Sequence, residues 1–275
     1  MSKKQKRTND FVVAIPSYNR SETLITKSLP LLLSGKVPAE RIYVFVIAEQ
    51  EAEYKRAIES LNKKFPDVKD VNLVVGVRTL RAQRNFIIDY FPKGQRILMI
   101  DDDIKAIKRK TGEQTMTDVV DLQKMVGGMF DICAEKGVDL WGIYPAYNAY
   151  FMKYDYTRGL NFILGSFYGQ VNHPRFKCTY EHGEDYARSL KEFYDNPNGT
   201  IRFNFVTQNT HGFSGTGGMN SPEFNRLKNV KPALQKLKSE YPDDVTLKIK
   251  RTPVEVWNAS LTTKKMYEKV NIGSP

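Results

Sequence analysis

Four apolar runs constrain this chain more than anything else in it: PheValValAlaIle at 11–15, IleTyrValPheValIle at 42–47, ValAsnLeuValValGlyVal at 71–77 and ArgIleLeuMetIle at 96–100. Each has the length of a strand and none alternates polar with apolar residues, which predicts strands buried on both faces. Helical segments are expected between them, at about 51–65 and 80–91. Strand and helix in alternation predict an α/β fold with a mostly parallel central sheet flanked by helices. Pro16 is expected to end the first strand, and Asn19 with Glu22 has the three-residue offset of a helix capping pair.

The second half is less regular. Thr117 is expected to cap a helix reaching Glu135, with Val120, Met125, Met129, Ile132 and Cys133 among its apolar positions. Strands are expected at 139–145, 161–168 and 201–207, a helix at 184–194, and a glycine-rich loop at 210–218. No internal repeat or low-complexity stretch separates a second domain. The expected organisation is a basic leader over 1–10, one half built on the four strands over 11–104, a second half over 105–220, and a basic extension over 221–275.

Lys and Arg number 42 against 31 Asp and Glu, a net charge of +11 that favours encounter with a polyanion without selecting which. Cys133 and Cys178 form no CxxC pair and no disulfide framework. The leader MetSerLysLysGlnLysArg is not followed by the apolar run of a secretory signal, and no stretch reaches 18 apolar residues. A soluble, cytoplasmic or host-intracellular protein is therefore expected. The leader either touches DNA or is a solvated tail.

The triplet Asp101, Asp102 and Asp103 directly follows the fourth apolar run. In an extended segment Asp101 and Asp103 project to one side and Asp102 to the other. Two same-side carboxylates are costly to bury unless a cation neutralises them, and Mg2+ or Mn2+ bridging them to a diphosphate does so. A solvated acidic loop is the alternative, but ligand sites of α/β sheets gather at the carboxyl ends of strands. Arg78, Arg81, Arg84 and Asn85 lie at the start of the preceding helix, where an arginine can bind a diphosphate or close over Asp103; a charged outer face explains part of the set equally well. After Pro16, Tyr18 either stacks on a base such as uracil or packs under the adjacent helix. Glu49 ends the second strand as a base or ribose contact or as a cap. Neither GxGxxG nor GxxxxGK[ST] is present, which argues against dehydrogenase and P-loop readings.

IleProSerTyrAsnArg, GlyValArgThrLeuArgAlaGlnArgAsn, LeuMetIleAspAspAspIle and HisGlyGluAspTyr, spread over residues 11–220, together resemble the ordered elements of GT-A glycosyltransferases. More narrowly they resemble the phage and kinetoplastid glycosyltransferases of hydroxymethylpyrimidines in DNA, including the base-J glucosyltransferases. The resemblance implies a GT-A-like fold and transfer of a sugar, glucose from UDP-glucose, to 5-hydroxymethylpyrimidine in DNA, with inversion and with Mn2+ or Mg2+ as cofactor. It makes Asp101 and Asp103 the metal site, with Asp102 beside them at the sugar nucleotide, Pro16, Tyr18 and Arg20 the first nucleotide-binding turn, and Arg81 and Asn85 the donor-side helix. It makes Glu184 and Asp185 the acidic pair near the acceptor, and His211 a late metal ligand.

Chemistry gives these acids a separate rationale, since a hydroxyl needs a carboxylate to accept its proton as it attacks the anomeric carbon. Asp185 is expected to be the base and Glu184 a second acceptor or sugar contact; capping the following helix is the alternative for both. For His211 a loop hydrogen bond is the alternative to metal ligation. Gly212, Gly215, Gly217 and Gly218 suit an acceptor lid or a plain surface turn. The basic residues at 226–251 are expected to touch the DNA backbone. A flipped base would meet Tyr147, Tyr150 or Phe167, which equally suit a core. Two other functions fit less of the pattern. One is a glycosyltransferase acting on a carbohydrate, lipid-linked carbohydrate or protein; the other is a nonenzymatic DNA-binding module, which leaves the acidic triplet unexplained.

Overall fold

The apolar runs at 11–15, 42–47 and 96–100 become buried strands inside a sheet, whereas the run at 71–77 becomes its edge strand and, with a neighbour on one side only, is partly exposed rather than buried on both faces. A computed structural model describes residues 10–210, 226–251 and 255–273. The first half runs β1 (Val12–Pro16), α1 (Ser21–Thr26), α2 (Ser28–Ser34), β2 (Ile42–Val46), α3 (Glu51–Glu59), β3 (Asn72–Val75), α4 (Leu80–Tyr90) and β4 (Arg96–Ile100). Then come β5 (Ile104–Lys110), β6 (Met116–Asp118), α5 (Leu122–Glu135), β7 (Leu140–Tyr144), β8 (Asp155–Gly159), β9 (Phe167–Val171) and α6 (Glu184–Asp195). β10 (Thr200–Thr210), α7 (Arg226–Glu240), β11 (Val245–Arg251), β12 (Glu255–Leu261) and β13 (Met266–Asn271) complete the order.

The main sheet has the strand order β13-β8-β10-β7-β9-β4-β1-β2-β3, with β5 on β10 and β6 on β5. Following the pairings strand by strand, only β5, β8 and β9 run against the rest, so the expected mostly parallel α/β sheet is present. Alternate residues of the central strands feed two cores. Val13, Ile15, Val44 and Leu98 pack with Leu24, Leu29, Tyr54, Val126 and Phe130 of α1, α2, α3 and α5. Ala14, Phe45, Ile97 and Met99 pack with Ile87 and Ile88 of α4. Burial on both faces is why these strands read as unbroken apolar runs. Between β4 and β7, Gly169 of β9 lies against Trp141, whose ring fills the space a side chain at 169 would need.

Several local expectations change. Pro16 belongs to β1, because the ladder to β2 passes through the Ser17 N–H, 2.9 Å from the Phe45 carbonyl, while the registered pairs with β4 end at Ala14↔Met99. Asn19 and Glu22 form no capping pair: Asn19 takes a left-handed φ of 54°, and its amide is bonded to Gln50. Thr117 lies in β6, and Asp121 caps α5 through the Lys124 N–H at 2.9 Å. Of 161–168, only Phe167 and Tyr168 are strand, since the Asn161 side chain is held by the Thr157 and Thr200 carbonyls in the preceding loop.

Toward the C-terminus, Leu234 and Leu237 of α7 pack with Leu190 and Phe193 of α6 under the two-stranded β11–β12 sheet. β13 then returns to the edge of the main sheet on β8. Among the described residues no helix is long and apolar enough to cross a membrane.

Candidate active site

Because β1, β2, β3 and β4 are parallel, the loops that leave them meet at one edge of the sheet. The acidic triplet sits there in the tight link from β4 to β5. Strand geometry ends at Ile100, and Asp102 and Asp103 lie in a turn, so the alternation expected of an extended segment does not apply. A single hydroxyl closes the turn: Ser28 Oγ donates to the Asp101 carbonyl at 2.7 Å and accepts from the Ile104 N–H at 2.9 Å. Arg20 Nη1 spans Asp102 Oδ1 and Asp103 Oδ2, at 3.1 and 3.3 Å. Ser17 Oγ donates to Asp102 Oδ2 at 2.5 Å, and Tyr54 OH accepts from the Arg20 N–H at 2.9 Å. Thr210 at the end of β10 donates to Asp103 Oδ1 at 2.9 Å.

Asp101 keeps a side chain 35% exposed and faces Arg84 Nη2 at 3.6 Å. Burial, partly offset by Arg84 and reinforced by Asp103 and Asp102, pushes its carboxyl up to about 7. Burial also raises Asp102 to about 6, against the pull of Arg20 and Ser17. For both groups burial is the largest cause and is not cancelled by the guanidinium beside each, a setting in which a divalent cation would favour the ionised forms. Among the described residues no three His, Cys, Asp or Glu side chains form a metal cage. Hard cations such as Mg2+ are commonly held by one or two carboxylates together with substrate phosphates; Asp101 and Asp103 are the carboxylates that could serve so, Asp103 already accepting from Thr210 and Arg20. His211 and the glycines at 212–218 lie outside the described residues.

Arg84 is the residue that joins the two acidic groups. It is 4% exposed; Nη1 is ion-paired with Glu184, and Nη2 donates to the Gly165 carbonyl at 2.8 Å. Glu184 and Asp185 open α6, after Gly183 turns the chain with φ 71°. Carboxylates are favoured at a helix N-terminus by the unpaired N–H groups, and Asp185 Oδ1 accepts from the Tyr186 N–H at 2.9 Å. One turn further, Arg188 stacks 3.7 Å from the centre of the Tyr168 ring. Burial works to raise Glu184, but Arg84 and Arg188 outweigh it and hold the group below its ordinary value. Burial and then repulsion from Glu184 raise Asp185. Two adjacent acids are thereby driven apart, one held ionised and the other nearer neutrality, the division that acid–base sites use.

The other expected residues separate into two groups. Tyr18 follows β1 with Arg78 5.6 Å from its ring centre, and Arg78 lies 3.9 Å from Glu49; both charged groups are more than half exposed, forming an open rim beside the triplet. Arg81 and Asn85 turn elsewhere. Arg81 pairs with Glu181 at 2.8 Å, and both ends of the Asn85 amide hold the backbone of Cys178, at 2.9 and 2.7 Å. Tyr147 and Tyr150 are exposed, whereas Phe167 is fully buried in the core and unavailable to a substrate base. Ser17, Arg188 and Thr210 join the site beyond the residues first expected, and of the arginines expected at the start of α4 it is Arg84 that reaches the triplet, at Asp101 rather than Asp103. A polar cavity of about 530 Å3, lined by Asp10, Arg41, Lys93 and Arg96, opens at the opposite edge of the sheet, by the starts of β1 and β4.

No protein-family model and no curated protein matches the chain. Solved structures do. Residues 1–349 of S. aureus TarS in complex with UDP-GlcNAc superpose with a TM-score of 0.50 at 13% identity, over 83% of this chain and 66% of that one. The mannosyltransferase PcManGT from Pyrobaculum calidifontis, in complex with GDP-Man and Mn2+, gives 0.41 at 14% identity, over 59% of this chain and 44% of that one. The chain thus spans about half to two thirds of the length of these structures. The likeness establishes the fold, which is that of the GT-A-type glycosyltransferases.

Proposed function

We propose that this protein is a divalent-metal-dependent glycosyltransferase that moves a sugar, glucose from UDP-glucose, to the hydroxyl of 5-hydroxymethylpyrimidine in DNA. The observation that carries the reading is the pair of acidic centres at one edge of the sheet, Asp101–Asp103 and Glu184–Asp185, joined through the buried Arg84. The likeness to a structure that holds UDP-GlcNAc supports a UDP-sugar donor.

In this reading Tyr18 stacks on the uracil, with Arg78 and Glu49 at the rim of that subsite. Asp101 and Asp103 would hold Mn2+ or Mg2+, and the cation would supply positive charge to offset that of the departing nucleoside diphosphate. Arg20 keeps Asp102 and Asp103 in place, so the turn is formed before the donor arrives. Asp185 accepts the proton of the acceptor hydroxyl as its oxygen attacks the anomeric carbon, while Glu184, kept ionised by Arg84, orients the sugar or the hydroxyl. Direct attack by a hydroxyl so activated inverts the anomeric centre.

The acceptor is proposed from the +11 charge, the basic stretch at 226–251, and the need for a hydroxyl that ordinary pyrimidines lack. A panel of UDP-sugars is offered to unmodified DNA and to DNA carrying hydroxymethylcytosine or hydroxymethyluracil, with mass analysis of the product nucleosides. Sugar on the modified base alone is expected. Transfer to a glycan or protein, with none to either modified DNA, overturns the acceptor and leaves the enzyme class standing. Duplex binding that needs no metal, without donor hydrolysis or transfer to any acceptor, points instead to a nonenzymatic DNA-binding module.

A further inference from the structure

The β11–β12 ribbon has two unlike faces. Its antiparallel register runs without a break from Val245↔Leu261 to Arg251↔Glu255, so alternate residues can be assigned to one side or the other. Val245, Leu247, Ala259, Trp257 and Leu261 pack toward Leu234 and Leu237 of α7. The opposite face carries Thr246, Lys248 and Lys250 from β11, and Ser260, Asn258 and Val256 from β12. Thr246, Lys248, Lys250 and Asn258 are exposed, and none of the six is acidic. Of the acids on the neighbouring turn, Asp244 is paired with Lys265 and Glu240 lies 3.7 Å from Lys236, while Asp243 faces solvent.

The ribbon is also tied to the candidate active site. Tyr186, the residue after Asp185, places its hydroxyl 2.9 Å from both Asn258 Oδ1 and the Ala259 carbonyl, either of which can accept its one proton. β12 therefore adjoins the start of the helix that carries the acceptor base, while the outer face is turned away from the packed α6–α7 side.

We infer that the outer face of β11–β12 enters the major groove of duplex DNA and holds the acceptor next to α6. This rests on the DNA-acceptor reading for its role in catalysis, while the binding surface is argued from its own residues. Two strands about 4.8 Å apart fit a groove about 12 Å wide, and seven residues reach about 24 Å along it. Lysine, threonine, serine and asparagine supply the donors that guanine N7 and O6 and the phosphates accept. The face has no aromatic side chain on which unpaired bases could stack, which favours duplex over single strand. It has no large apolar residue to enter a bilayer.

The test uses the full chain and a 20-base-pair unmodified duplex. Guanine N7 methylation by dimethyl sulfate reads groove occupancy, and fluorescence anisotropy across a salt series reads phosphate contact. Wild type is expected to shield N7 positions. K248Q/K250Q is expected to bind at least tenfold more weakly at low salt and to flatten the slope of log K against log salt by about 1.8, two contacts at about 0.9 each. Its thermal midpoint and its binding of UDP-glucose should stay at the wild-type values. Duplex binding that leaves N7 reactive, an unchanged salt slope in the variant, or tighter binding to a single strand or to phosphatidylglycerol vesicles each overturns the inference. Sugar transfer to hydroxymethylated DNA with an unchanged slope in K248Q/K250Q sinks the ribbon alone. N7 shielding with no transfer to any modified base sinks the acceptor reading alone.

Discussion

Replacing Arg84 with methionine keeps the length of the side chain and removes the charge between Glu184 and Asp101. Both Arg84 and Glu184 are enclosed, with side chains 5% and 13% exposed, and the guanidinium also satisfies the Gly165 carbonyl. Removing one partner of a buried pair costs about 3–5 kcal/mol, because the remaining charge is left without compensation. Arg188 also acts on Glu184, so the lower end of that range applies. At about 2–4 °C per kcal/mol for a domain of this size, R84M is expected to melt about 6–12 °C below wild type. R84M/E184Q removes both charges of the closer pair and should recover about 1.5 kcal/mol or more of the loss, read as the coupling energy of a double-mutant cycle. Thermal and urea unfolding followed by circular dichroism provide the measurement. An R84M protein within about 0.5 kcal/mol of wild type, or strictly additive single effects, refutes the claim that Arg84 neutralises the junction of the two acidic centres.

Three further substitutions have outcomes that follow from the same geometry. Asp103→Asn retains an acceptor for Thr210 and leaves the circular-dichroism spectrum intact, but calorimetry in Mn2+ and Mg2+ titrations should show metal-coupled donor binding greatly weakened; wild-type coupling counts against the assignment. Asp185→Asn should lower single-turnover transfer about 100-fold or more and abolish the rise of rate with pH through the elevated Asp185 value, while donor binding persists. Since the folded protein favours protonated Asp185, that group's contribution to stability is present below its unfolded value and lost as pH rises through the folded one; the melting advantage of D185N over wild type should therefore grow from acid to neutral pH. Gly183→Ala puts a methyl 3.2 Å from Leu234 in a left-handed turn, and a loss of about 1–2 kcal/mol in urea unfolding is expected, with no loss arguing that the turn relaxes freely.

β1, β2, β4, α4 and α6 were legible because their burial pattern is written in unbroken apolar runs or in helical periodicity, and β3 gave the same apolar signal although, at the edge of the sheet, it is only partly buried. β5, with the sequence IleLysAlaIleLysArgLys, and β8, with AspTyrThrArgGly, carry too much charge or polarity to announce themselves, and they become strands because the long β10, paired with β7 on one edge, offers them successive stretches of the other, Thr200–Phe203 to β8 and Val206–Thr210 to β5. The β11–β12 ribbon was hidden within a basic stretch, since only one of its faces is apolar. At the site, the position of the acidic triplet after β4 was readable, and an arginine from the start of α4 was expected to close over it, but which arginine does so, and that Arg20 pairs with Asp102 and Asp103, was not. Arg20 reaches it from the start of α1 and Arg84 from α4, approaches that only the folded sheet brings together. A signal for Arg84 did exist. Ile87 and Ile88 form the buried stripe of α4, and one turn back that stripe falls on Gln83 and Arg84 rather than on Arg81 and Asn85.

The contact between Gly169 and Trp141 has a consequence for descent. A side chain at 169 would overlap the indole, and β9 is the strand that carries β7 alongside β4, with Leu98 opposite Gly169 and Ile100 opposite Phe167. Neither position can drift alone without prying β9 from the strand that delivers the acidic turn. Relatives of this chain should therefore inherit the two residues as a unit, or exchange them together for a small residue at 141 and a larger one at 169, so that a pairwise substitution inside the sheet becomes a lineage marker for an intact acidic turn.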